Sequence, residues 1–196
     1  MQVNRKTLES RERGKWKHAR WYAFGRSQNL GEMEQKKILT PSIANRASFT
    51  LDSGNFYYFV GSGGGGGGGY GVTLKPGERM AYEYFLGLLN SRLLDAFLKS
   101  YSSPFSGGYY AFNRQYIAQL PIRVINFDDA HDVVRYRRVV ALVEQMLELH
   151  KQRAAAQTAA DRELFQRQID ATDAQIDALV YALYGLTEEE IAVVEG

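Results

Sequence analysis

A change of period near residue 127 constrains this chain more than any other feature. Before it, apolar residues come in short runs separated by Gly, Pro, Ser and Asn: "KILTPSI" (37–43), "ASFTLD" (47–52), "FYYFV" (56–60) and "YGVTLK" (70–75). Such runs read as short strands. The turn residues "SGN" (53–55) predict a hairpin between the second and third of them. After residue 127 the apolar positions recur at helical spacing, first as Val133, Val140, Val143 and Leu147, then as Phe165, Ile169, Ile176, Leu179 and Leu183. Ile169, Ile176 and Leu183 keep a seven-residue step, the pattern of a coiled-coil-like seam. Asp128 or Asp129 can cap the first helix, and the polar stretch "KQRAAAQTAAD" (151–161) predicts the turn. Gly185 suits a left-handed stop, and Thr187 with Glu190 forms a capping box for a last short helix. The prediction is an antiparallel hairpin over 128–184, on the order of 30–35 Å long.

One helical stripe also lies inside the first part. Phe85, Leu88, Leu89, Leu93, Ala96 and Phe97 predict a single buried helix between Met80 and Lys99, with Leu86, Leu89 and Leu93 in the core. "SSPFSGGYYAFNRQYIAQLPI" (102–122) begins as a loop and then reads as strand up to Pro121. The fold class is therefore α+β: a mixed β domain with one buried helix, followed by the helical hairpin.

Charge and aromatic content divide at the same place. Through Phe127 there are 17 Lys and Arg against 8 Asp and Glu, and beyond it 7 against 14, so net charges of +9 and −7 face each other across the boundary. Of the 25 aromatic residues, 21 precede Asp128. A basic, aromatic-rich body can release counterions from a phosphate backbone; it can also be no more than a solvated surface. The acidic balance of the hairpin argues against its lying along phosphate. Its apolar stripes need a partner, because isolated helices of this size are marginal in water. Each helix is the other's nearest partner, which predicts a scaffold or spacer, and a homodimer through the helices is a further possibility. Eight basic residues up to Arg26 make the N-terminus, residues 1–15 above all, a charged arm.

Several chemistries are excluded. With no cysteine there is no disulfide framework and no thiolate metal site. No apolar run approaches the ~20 residues that span a bilayer, and the basic N-terminus lacks the apolar segment of a secretory signal. No membrane partner and a cytoplasmic location are expected. His18, His131 and His150 are scattered, without a partner at metal-ligand spacing. Glu34-Gln35-Lys36 matches a nuclease Glu-x-Lys without a convincing upstream Asp and reads as a solvated face. The seven-glycine tract within "VGSGGGGGGGYGV" (60–72) lacks the Gly-Lys-Ser/Thr ending of a phosphate loop and runs into a strand, not a helix. It reads as a long hairpin loop whose bare N–H groups can approach a ligand closely. "FVGSG" (59–63) resembles an S-adenosylmethionine loop, with Glu78 as a ribose ligand. That loop should lead into a helix, and Glu78 should end a strand rather than follow Pro76-Gly77. No catalytic centre is found.

"WYAFGRSQNL" (21–30), "KILTPSIA" (37–44), "FYYFVGSGGGGGGGYGV" (56–72), "YFLGLLNSRLLDAFLK" (84–99) and "SSPFSGGYYAFNRQYIAQLPI" (102–122) follow in one order. Together they resemble the C-terminal specificity domain of TaqI-like adenine-specific DNA methyltransferases, which also occurs in fused restriction-modification enzymes. The tail "YALYGLTEEEIAVVEG" (181–196) is similar to the usual end of such enzymes.

The resemblance implies a division of labour. A catalytic domain elsewhere in the polypeptide binds S-adenosylmethionine and methylates adenine with an Asn/Asp-Pro-Pro-aromatic motif. The C-terminal domain, here about residues 16–126, reads double-stranded DNA, and residues 127–196 form the hairpin and last short helix. This chain has four prolines, none adjacent, so the catalytic motif is absent and no cofactor is expected here. The chain then reads as the specificity portion alone, with Met1 an artificial start.

The DNA-binding candidates are Arg26, Gln28, Asn29, Arg46, Gly65, Gly67, Tyr70, Ser106, Tyr110, Asn113 and Arg114. Arginine suits guanine edges, and Gln and Asn suit adenine. Equally, Arg26 can pair internally and Asn29 can cap a helix. Tyr109 and Tyr110 can stack or bind phosphate, or belong to the core. At Ser106 many relatives are expected to carry a basic residue. The alternatives in other classes are a degenerate methyltransferase using the 59–63 loop and a helical interaction module without DNA affinity.

Overall fold

The computed structural model describes residues 2–23, 33–54, 57–58 and 68–196. The chain divides into two compact units, Met1–Glu34 and Gln35–Gly196. In the first, a 3-10 turn (Gln2–Asn4) leads into helix α1 (Arg5–Glu9) and a short turn of helix, α2 (Arg11–Gly14). The Arg11 guanidinium donates to the carbonyls of Leu8, Trp21 and Ala23 at 2.8, 2.8 and 3.2 Å. It also lies 5.0 Å from the Trp16 ring, while Arg5 lies 5.4 Å from that of Trp21. These two cations of the N-terminal arm therefore hold their own unit together.

The second unit is α+β. Strand β1 (Lys37–Pro41) is central in an antiparallel sheet, between β3 (Thr50–Asp52) and β4 (Gly69–Val72). The register pairs Ile38 with Leu51 and Val72, and Pro41 with Gly69. Proline, which has no N–H to donate, sits at the strand's end, where the ladder stops. Two residues later β2 (Ile43–Ala44) enters a second sheet, of order β2-β6-β5, with β5 at Pro104–Phe105 and β6 at Tyr109–Ala111. Ser42 joins the two sheets: its N–H donates to Gly68 O at 3.0 Å, and its carbonyl accepts from Phe112 N at 2.9 Å.

The predicted hairpin of 47–52 with 56–60 is not seen at Tyr57 and Tyr58, and residues 56, 59 and 60 lie outside the described residues. β3 pairs with β1 instead, and Tyr57 and Tyr58 are not in a strand. Asp52 redirects the chain. Its buried carboxylate accepts from Lys37 Nζ and from Tyr57 N, both at 2.6 Å, so Tyr57 is tied to the side chain rather than to the ladder.

The single helix predicted over 80–99 is two: α3 (Tyr82–Asn90) and α4 (Arg92–Tyr101). Ser91 breaks them. With ψ 150° it is extended, and its hydroxyl donates to Leu88 O and accepts from Leu94 N as the cap of α4. The strand expected up to Pro121 ends at Ala111; Arg114–Ile117 forms the helical turn α5.

The hairpin matches the prediction and is longer. Helices α6 (Ala130–Ala155) and α7 (Ala159–Tyr184) each have 26 residues, about 39 Å. The turn shrinks to three residues because the Ala-rich stretch continues α6 and Thr158 caps α7. Asp129 caps α6, and Gly185 stops α7 at φ 69°. Helix α8 (Glu188–Glu195) carries the capping box of Thr187 and Glu190.

One core runs through the second unit. Tyr84, Leu88 and Leu94 from α3 and α4 pack in the same cluster as Ile38, Phe49 and Phe112, and as Val139, Val143, Ile176, Val180 and Leu183 from the hairpin. The seam of Ile176 and Leu183 is thus occupied within the chain. Gly87 permits a close approach: a Cβ there would meet Val143 Cγ2 at 2.9 Å and Val139 Cγ1 at 3.1 Å. Polar bonds weld the same joint. Tyr84 Oη donates to Arg123 O at 2.9 Å, Tyr136 Oη accepts from Ala81 N at 2.9 Å, and Tyr184 Oη donates to Pro121 O at 2.6 Å. Burial raises the Tyr84 phenol well above its ordinary range.

Candidate nucleic-acid interface

Crossing from β1 to β2 brings two distant stretches together. Tyr70 pairs opposite Thr40 on β4 and leaves over a third of its surface exposed. Asn113 and Arg114 follow β6, whose partner β2 begins two residues after β1. Tyr70, Asn113, Arg114, Gln115 and Ala118 line one wide, open depression. Three of its residues were candidates from sequence. Gln115 was not singled out, although it is contiguous with them in "FNRQY".

Asn113, one of the residues lining the depression, is incompletely satisfied. Asn113 precedes α5, yet its side chain makes no capping bond. Its Oδ1 is buried without a hydrogen-bond partner, the one such side-chain atom among the described residues. A buried acceptor left unpaired costs about 1–3 kcal/mol. Arg114 is exposed and has no ion pair among the described residues. Next to it, Tyr116 Oη shares a 2.6 Å hydrogen bond with Ser103 Oγ. Hydrogen bonds from Ser103, then Gln115, lower its phenol from the ordinary value.

The remaining candidates are placed as follows. Ser106 is exposed in the β5–β6 turn, before Gly107 and Gly108 with φ 77° and 76°. Tyr110 is half-buried on β6, paired with Ala44 and Pro104, and Lys99 Nζ lies 5.7 Å from its ring. Arg46 is exposed just after β2 and, like Arg114, has no ion pair among the described residues. Arg26, Gln28, Asn29, Gly65 and Gly67 lie outside the described residues, as does the 59–63 loop. Glu78 is exposed, after the Pro76-Gly77 turn. Lys36 of the Glu-x-Lys match is engaged: its Nζ lies 2.9 Å from Glu83 Oε1 and 5.0 Å from the Tyr82 ring. Among the described residues, no cluster of His, Asp or Glu could hold a metal ion, and no helix is long and apolar enough to cross a membrane.

The fold and this depression define a two-sheet α+β module buttressed by a helical hairpin, with an open recess that carries the Arg114 cation where the sheets meet. The family model described as the TaqI-like C-terminal specificity domain matches residues 3–122, and the chain belongs to that family. It is also similar to the type II restriction enzyme and methyltransferase RM.Eco57I of Escherichia coli, with 29% identity over 181 residues. That match takes in 89% of this chain and 17% of the relative, so the chain spans about a sixth of that protein's length.

Proposed function

We propose that this chain reads a specific sequence in double-stranded DNA for an adenine-specific methyltransferase, alone or fused to a nuclease, whose S-adenosylmethionine-binding catalytic domain lies elsewhere in the same polypeptide. The observation that carries the reading is the recess itself: a buried, unpartnered Asn113 Oδ1 beside the unpaired guanidinium of Arg114 and the exposed Tyr70 ring. An amide acceptor can take the exocyclic amine of a base, an arginine can take guanine or phosphate, and a tyrosine offers a stacking face or a phosphate donor. The excess of nine positive charges before Asp128 supplies the sequence-independent attraction.

The test is duplex binding by the 196-residue chain across a salt series. Wild type binds with an affinity that falls steeply as salt rises, and Arg114→Ala weakens it about tenfold, or ~1.4 kcal/mol. Binding that ignores salt, or none at low salt, overturns the reading.

A further inference from the structure

The acidic balance of the hairpin is not evenly spread. Residues 128–138 carry three basic and three acidic side chains; after them come 4 basic against 11 acidic. The entire deficit of seven charges therefore lies beyond Arg138. At the start of α6, Arg135, Arg137 and Arg138 are all exposed.

These three arginines have no partner among the described residues. The helix offers them none. Four residues away stand His131 and Val139 for Arg135, Val133 and Ala141 for Arg137, and Val134 and Leu142 for Arg138. At three residues the one acid is Asp132, which is buried and already engaged. Its carboxylate accepts from Arg123 Nη2 at 3.0 and 3.2 Å and from Asn126 N at 3.0 Å. Arg135 and Arg138 are themselves three apart, a spacing at which like charges repel. Cations also gain nothing from the N-terminal half of a helix dipole.

Farther along the hairpin most cations have an acceptor: Lys151 meets Glu148, Arg167 meets Glu163, and Arg162 Nε donates to Ala156 O, while the exposed Arg153 stands alone among the described residues. Three unpaired guanidinium groups thus fan out over the exposed side of a rigid helix, one to two turns beyond the exposed Asp128 and Asp129 at its start and outside the 3–122 segment that the family model matches.

We infer that this flank of α6 grips the phosphate backbone of duplex DNA, adding sequence-independent contacts to those of the recess. The inference rests on the DNA-reading function proposed above. An unpaired guanidinium trio complements phosphate oxygens, which take its N–H donors two at a time. The hairpin then lies against DNA by the second and third turns of α6 only, while its acidic remainder stays clear.

The experiment compares wild type, R135Q/R137Q/R138Q, R135K/R137K/R138K and the control R162Q/R167Q in the 196-residue chain. Affinity for a 30-base-pair duplex is read between about 50 and 200 mM salt, with melting curves and low-salt molar mass measured alongside. Each lost phosphate contact reduces the slope of log K against log salt by about 0.9. The glutamine triple variant is expected to lose about two to three units of slope with its melting unchanged, while the lysine variant and the control keep the wild-type slope. A glutamine variant with the wild-type slope overturns the inference and leaves the recess standing. The inference also fails if the glutamine variant dissociates a wild-type dimer, because the arginines then hold an acidic surface of a second copy. A wild type that binds no duplex at any salt overturns both proposals.

Discussion

Arg92 opens α4 with its N–H donated to Asp177 Oδ1 at 2.9 Å, and its guanidinium reaches Oδ2 of the same carboxylate at 3.3 Å. The first turn of a helix in the sheet-bearing half is thus capped by a residue of the hairpin 85 positions away. Asp177 is buried, whereas the Arg92 side chain is 56% exposed. Desolvation, reinforced by Asp173 and Glu195, outweighs the Arg92 N–H bond and guanidinium and pushes the carboxyl up to about 6 from its ordinary 3.8. The Tyr181 phenol beside it is pushed up to about 12, again chiefly by burial.

A carboxyl whose folded pKa is raised binds its proton more tightly in the folded chain than in the unfolded one. Its contribution to stability is largest below about 3.8 and is lost as pH rises through about 6. Asp177→Asn keeps an acceptor for the Arg92 N–H and removes the titration. The stability of this variant relative to wild type is expected to rise between pH 4 and pH 7 in urea unfolding. A difference that stays flat across that window removes Asp177 as the source.

Gly87→Ala places a methyl group of α3 against Val143 and Val139 of α6. Overpacking of this kind costs ~1–3 kcal/mol. Thermal unfolding should show the loss, and Val143→Ala in the same chain should recover most of it. A Gly87→Ala chain as stable as wild type means that α3 and α6 slide apart at no cost.

Asn113→Ala separates structure from function at the recess. It deletes a buried acceptor that has no partner, so the free chain keeps or slightly gains stability. Duplex affinity should fall about tenfold, ~1.4 kcal/mol. A clear loss of stability without loss of affinity assigns Asn113 to the fold alone.

Ile176→Asp puts a charge in the seam between α6, α7 and α3, where it has no partner and little water. The cost is on the order of 3 kcal/mol or more, visible as a lowered Tm. At temperatures where the chain stays folded, the preferred DNA sequence should not change.

The long helices were legible because periodicity over seven turns outweighs local accidents, and because Thr187, Glu190 and Gly185 act through chemistry local to the chain. What escaped depended on partners remote in sequence. The break at Ser91 follows from its hydroxyl bonds and from a cap residue in α7 that no local pattern reveals. The strand partner of β3 was set by the buried Lys37–Asp52 pair, 15 residues apart. At the recess, Tyr70, Asn113 and Arg114 were legible singly, from side-chain chemistry. Their meeting follows from the crossing at Ser42 between two sheets. The charge count of the hairpin hid the arginine flank because a sum discards position.

The single core of the second unit has a consequence for how specificity is exchanged between relatives. The matched family segment ends at residue 122, but Val139, Val143, Ile176 and Val180 cover the faces of α3 and α4 that carry Tyr84, Leu88 and Leu94. A graft cut at that boundary would place these apolar faces against a foreign hairpin, with Gly87 matched to the wrong ridge. The transferable cassette therefore extends beyond the matched segment to about residue 184, and chimeras that join between residues 122 and 184 should be recovered as aggregates rather than as enzymes with a new preference.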